Sequence, residues 1–223
     1  MNWQKLAKLK PKKKFPYQKV LGTVLLTLAL GLSFSGPSLA IAAREKTYED
    51  KLFEVALAFT LYFEGNLSDH PADKGGRTYK GILQTEYDRY RRVRGLPTID
   101  VAQMSDAELM EIYEEYWDNS DAAKMHPALA VVMFDTAVNF GVTNAVTFFQ
   151  QALGLPQTGV WDAETKEALV EGNNRNTALQ VINERIIYRY KRVREDASQM
   201  AFFHGWLSRD YSLWGYVEKL KDD

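Results

Sequence analysis

The chain has 223 residues, 46% of them hydrophobic, enough for one domain around a real core or one domain with a small appendage. It has no cysteine, which excludes disulfides and thiolate chemistry. Its three histidines, His70, His126 and His204, are far apart and form no HExxH pair, which argues against a metal site. The net charge of −1 hides an asymmetry: residues 1–42 hold seven of the 28 basic residues and none of the 29 acidic ones, leaving 21 against 29, a net −8, in the remainder. An acidic domain is a poor nucleic-acid binder, because that binding rests on neutralising phosphates.

The N-terminus reads as basic, then apolar, then small. Seven lysines precede "VLGTVLLTLALGLSF" (20–34), and "SGPSLAIAA" then offers small-residue cleavage sites after Ala40 or Ala42. This is the order of a signal peptide. The 24 uncharged residues from Val20 to Ala43 are also long enough to span a bilayer. Residues 1–42 are therefore a signal peptide or a membrane anchor, anchoring through residues 20–43 in the second case. In both cases the lysines stay inside and the rest is exported.

Thr47-Tyr-Glu-Asp50 forms a capping box, and Leu52, Val55, Ala56, Phe59 and Phe63 recur at helical spacing. Leu57, Leu61 and Tyr62 add apolar side chains on other faces, which predicts a central helix buried on most sides and stopped by Gly65. Turn residues follow from Asn66 to Tyr79, with room for a short β-hairpin near 69–82. Further helices are predicted over 85–94, from the capping box Ser105–Glu108 to about Trp117, from His126-Pro127 to Gly141, over 142–153 and over 163–171. A long amphipathic helix is expected from Asn176 to about Phe203, and a last one from Tyr211 to Leu220. The fold class is mainly α, with one domain.

Glu64 ends the first helix. To donate a proton near neutrality it needs a pKa of about 6–7 rather than about 4.3. A helix C-terminus contributes only about 0.3–1 kcal/mol toward that, so desolvation by Phe59, Tyr62 and Phe63 has to supply the rest. A general acid of this kind works with a second carboxylate, and glycosidases pair two such groups across the scissile bond. Asp69 and Asp73 are the candidates, five and nine residues on, and spacing does not choose between them. Spacing alone favours a plainer reading, a solvated glutamate at a helix end and aspartates that serve only as turn residues. Asp135 and Asn139, one turn apart on an apolar helix, must either find partners or face a groove. Tyr113, Tyr116 and Trp117 are either sugar-stacking rings or core aromatics.

The stretch "EGNLSDHPADKGGRTYKGI" (64–82) resembles the signature of the glycoside hydrolase family 108 lysozymes, the EGGY family, through Glu64, Gly65, Pro71, Asp73, Gly75, Gly76, Thr78, Gly81 and Ile82. The resemblance continues through "IYEEYWDNS" (112–120), through "FDTAVNFGVTNAVTFFQQALGLPQTGVWDAETKEAL" (134–169), which is similar to the family's peptidoglycan-binding region, and through the closing "FFHGWLSRD" (202–210). It implies a lysozyme-like helical domain that cleaves peptidoglycan with Glu64. The Glu, the Asp nine residues later and the Thr before Gly-Ile also resemble a phage-type lysozyme site, which implies Asp73 and Thr78 as catalytic helpers. It further implies Asp69, Tyr79, Gly81, Tyr116, Trp117, Asp135 and Asn139 as substrate-binding residues, no cofactor, and peptidoglycan glycan strands as the partner, met after export across a bacterial inner membrane. By the same resemblance, residues 46–125 form the catalytic region, and residues 126–217 a peptidoglycan-binding-like helical region packed into the same domain. The sequence departs from the signature at Asn66, Leu67, Asp69 and His70. These departures bear on the loop shape and on the sugar contacts beside it. A non-catalytic peptidoglycan-binding envelope protein is the alternative they leave open.

Overall fold

The computed structural model describes residues 47–68 and 76–220. The predicted segment 1–42 and the loop positions Asp69, His70 and Asp73 lie outside these residues. Eight α-helices and a small three-stranded antiparallel sheet make up the described chain. Helix α1 (Tyr48–Phe63) opens on the predicted capping box: the Thr47 hydroxyl accepts from the Asp50 N–H, and the Asp50 carboxylate accepts from the Thr47 N–H. Strands β1 (Leu67–Ser68), β2 (Thr78–Tyr79) and β3 (Ile82–Leu83) pair in that order, with Ser68 opposite Thr78 and Tyr79 opposite Ile82. Strand β3 runs straight into α2 (Gln84–Val93).

Helix α3 (Asp106–Asn119) starts at the Ser105 capping box. Helix α4 (Pro127–Phe140) starts with proline in its first turn and a His126 ring nitrogen accepting from the Ala128 N–H. Helices α5 (Val142–Leu153) and α6 (Ala163–Gly172) follow. Between them Gln150 ties the turn together: it donates to Thr158 and Thr165 and accepts from the Gly159 N–H. Helices α7 (Arg175–Glu195) and α8 (Met200–Val217) close the fold.

Two expectations are corrected. The core centres on α4, in which every residue from Ala128 to Val138 is buried; α1 packs against it and buries only Ala56, Leu57, Phe59 and Thr60, with Phe53 edge-on to Phe134. Tyr48 and Tyr62 are exposed, so α1 is a flank of the core and not its centre. The long C-terminal helix also breaks. At Asp196 the backbone turns extended, and its carboxylate accepts from the Ser198 N–H and hydroxyl, the local bonding with which Asp competes against a helix. The last helix consequently begins at Met200 and not at Tyr211.

Candidate active site

Glu64 is the C-cap of α1. Its N–H donates to the Thr60 carbonyl at 3.2 Å while its own backbone is already extended (φ −76°, ψ 137°). The helix therefore ends at Glu64 itself, and Gly65, expected as the left-handed stop, has no positive φ. The carboxyl of Glu64 lies against the β2–β3 turn. Lys80 (φ 46°) and Gly81 (φ 81°) are both left-handed there, and the Tyr113 hydroxyl donates to the Lys80 carbonyl at 2.6 Å. A methyl group at Gly81 would stand 2.7 Å from Cδ and Oε2 of Glu64, so only glycine fits this close approach.

Glu64 is not in a purely apolar setting. Nη1 of Arg209, from α8, donates to its Oε1 at 2.6 Å. The same guanidinium donates through Nη2 to Oδ1 of Asp135 at 2.7 Å and through Nε to both Asp135 oxygens at 3.1 Å. Asp135 also accepts from Arg185 at 2.9 Å and from the Thr60 hydroxyl at 3.0 Å. Beyond it Asp210 pairs with Arg185 at 2.7 Å and with Arg189 at 2.6 Å, and Arg189 donates to Asn139. The rings of Phe140 and Trp206 face the Arg189 guanidinium.

Burial alone would raise the pKa of Asp135, but the charges of Arg209 and Arg185 outweigh it and hold the group down to about 2. Burial likewise acts to lower the pKa of Arg209, and the charges of Asp135 and Glu64 overcome it and push it up. In Arg189 burial wins over Asp210, and its pKa is lowered. The Tyr113 phenol, close to Glu64, is raised first by burial and then by that carboxylate's charge.

A cleft of about 250 Å³ is lined by Glu86 and Arg89 of α2, Ile112, Glu115, Tyr116 and Asn119 of α3, and Gly141 and Val142 at the α4–α5 junction. Glu64 is not in its wall. The Tyr116 phenol in that wall is raised mainly by burial and also by the charges of Glu86, Glu115 and Glu64. Among the described residues no group of three or more His, Asp or Glu is placed to hold a metal.

The predicted site residues separate on this geometry. Glu64 and Gly81 come together, and Tyr116 lies within electrostatic reach of Glu64. Thr78 and Tyr79 lie partly buried on the strand leading to that turn, with the Lys80 ammonium over the Tyr79 ring. Asp135 is 0% exposed and cannot touch a sugar here; its partners are the two arginines and Thr60. Asn139 is partly buried and accepts from Arg189. Trp117 is 6% exposed and packs edge-on against Phe53 and Phe134, which makes it a core aromatic and not a stacking platform. The reading from sequence assigned no role to Arg209, Arg185, Arg189 and Asp210. A signal was present: Arg185 follows Val181 and Ile182 on the buried stripe of its helix, and Arg209 and Asp210 close the "GWLSRD" segment.

Residues 57–141 match the family model "Glycosyl hydrolase 108", and residues 132–169 match "Putative peptidoglycan binding domain". The solved "Structure of Brucella abortus SagA" shares the fold, with a TM-score of 0.66 and 22% sequence identity over 78% of this chain and 97% of that one. No curated protein matches the sequence. Residues 57–141 thus resemble the glycosyl hydrolase 108 family, a family of glycosidases, and the segment 132–169, which overlaps their end, resembles a peptidoglycan-binding domain.

Proposed function

We propose that the protein is a peptidoglycan hydrolase, an N-acetylmuramidase that cleaves the β-1,4 bond between N-acetylmuramic acid and N-acetylglucosamine with Glu64 as general acid. The observation that carries this reading is the seat of the Glu64 carboxyl. It is fixed at a helix end within the matched family segment, on one oxygen by Arg209 and on the other side by Gly81. Protonation of the leaving oxygen by a positioned carboxylic acid is the step such a group supplies. The second carboxylate would be Asp73 or Asp69, with Thr78 as a helper on the adjoining strand. A separation of about 5–5.5 Å from Glu64 would give retention, and about 6.5–9.5 Å inversion. Peptidoglycan is the partner that the 132–169 match suggests.

We assign the basic and apolar N-terminus to export, so that the enzyme acts in the periplasm, outside the cell or at the membrane surface. Residues 46–125 would be the catalytic region and 126–217 the peptidoglycan-binding region of the same domain. The departures at Asn66 and Leu67 favour one other reading, a protein that holds peptidoglycan without cutting it. Turbidity of a peptidoglycan suspension separates the two. Loss of turbidity with the full chain but not with its Glu64→Gln variant supports the hydrolase. Pelleting of both proteins with an uncut wall supports the binder.

A further inference from the structure

Resting on the reading of Glu64 as general acid, we infer that Arg209 is a positioning residue that aims the Glu64 carboxyl, and that Asp135 sets the position of Arg209. The contacts close a ring. The Glu64 N–H is held by the Thr60 carbonyl, the Thr60 hydroxyl by Asp135, Asp135 by Arg209, and Arg209 by the Glu64 carboxyl. A guanidinium is a planar fork whose donors have fixed directions. Two of its nitrogens are committed to Asp135, so Nη1 has one direction left, and that direction ends on Oε1. Oε2 lies on the Gly81 side and has no hydrogen bond from any described residue. It is the oxygen left to deliver a proton.

Stability does not account for this arrangement. Asp135, Arg185 and Asp210 are 0% exposed and Arg209 is 5% exposed. Desolvating such charges costs several kcal/mol per ion, and well-packed apolar residues of similar volume commonly serve as well or better. The arrangement does explain why a residue 145 positions away, on the last helix, belongs to the site at the end of the first.

The test measures kcat, KM, the pH–rate profile and the thermal midpoint on soluble peptidoglycan fragments. It uses the full chain and its Arg209→Gln and Arg209→Lys variants. Arg91→Met is the destabilising control, because it breaks the Glu108 pair on the α2–α3 face. A carboxyl misplaced by about 1 Å costs on the order of 100-fold in rate. Arg209→Gln is therefore expected to lose about 100-fold in kcat with KM within about twofold. Its pH–rate profile should also differ from that of the wild type, because a charge beside the site is lost. Arg209→Lys, which keeps the charge but not the fork, should retain the wild-type pH profile and recover about a tenth of the wild-type kcat. Arg91→Met should lower the midpoint and leave both kcat and profile unchanged.

A folded Arg209→Gln with wild-type kcat and profile overturns the inference. So do rate losses that track the thermal midpoint across all variants. Should the Gln variant not fold, Arg209→Lys decides alone, and an unchanged kcat refutes the role. Full activity in Glu64→Gln would sink the assignment of Glu64 instead, whatever the Arg209 variants do.

Discussion

Replacing Gly81 with alanine probes the Glu64 seat most sharply. At φ 81° an alanine pays backbone strain of about 1–3 kcal/mol wherever it sits. The new methyl would also stand 2.7 Å from Cδ and Oε2 and 2.8 Å from Cγ of Glu64. Ordinary contact begins at 3.4 Å, so the carboxyl has to retreat by about 0.7 Å or the turn has to open. Oε1 cannot follow freely, because Arg209 holds it. A displacement of that size is expected to cost between about 10- and 100-fold in kcat. Gly154→Ala is the matched control: it is left-handed too (φ 70°) but no atom lies within 4 Å of its new methyl. Thermal midpoints and rates on soluble glycan fragments should show both variants destabilised and only Gly81→Ala slowed. Equal rates for the two variants would refute the claim that the position of the Glu64 carboxyl matters.

Truncating Asp135 to alanine leaves Arg185 and Arg209 buried beside a hole, so urea denaturation should show a loss of about 3–5 kcal/mol; a loss below 1 kcal/mol would contradict a tight network. The pKa of Asp135 is depressed in the fold, to about 2 from an ordinary value near 3.9, so its contribution is complete above about pH 4 and drains away as pH falls toward 2. Acid titration of the unfolding free energy should therefore show an added decline between pH 4 and 2 that disappears in Asp135→Asn. Tyr113→Phe removes the donor to the Lys80 carbonyl and should cost about 1 kcal/mol, with a slower enzyme because the Gly81 turn loosens; calorimetry and rate assays read both effects.

The features set by local chemistry were legible in the sequence. The capping boxes at Thr47 and Ser105 and the proline start at Pro127 gave three helix beginnings correctly, because a cap is formed by residues three apart. The break at Asp196–Gln199 was missed, because a short polar run on an amphipathic helix carries the same periodicity as a continuous one. Asp135 on an apolar helix announced that it needed a partner. Its partners come from α7 and α8, 50 and 74 residues away, and no periodicity links such positions. Arg91 and Arg94 form a pairing surface toward α3, through Glu108, Glu111 and Glu115, a cross-helix match that their own local spacing does not announce. An all-apolar α1 suggests a central helix, whereas burial depends on what stands opposite each face, and Tyr48 and Tyr62 stay exposed.

The central claim is that Glu64 cleaves at muramic acid, and the ends left on the products test it most directly. The full chain and Glu64→Gln would each be incubated with purified peptidoglycan, the products reduced with borohydride, and the released fragments identified by mass spectrometry. Gln is nearly isosteric and can still accept from Arg209, so the variant should fold. Fragments ending in reduced N-acetylmuramic acid are expected from the wild type and none from the variant. Fragments ending in reduced N-acetylglucosamine, or equal release by both proteins, would contradict it.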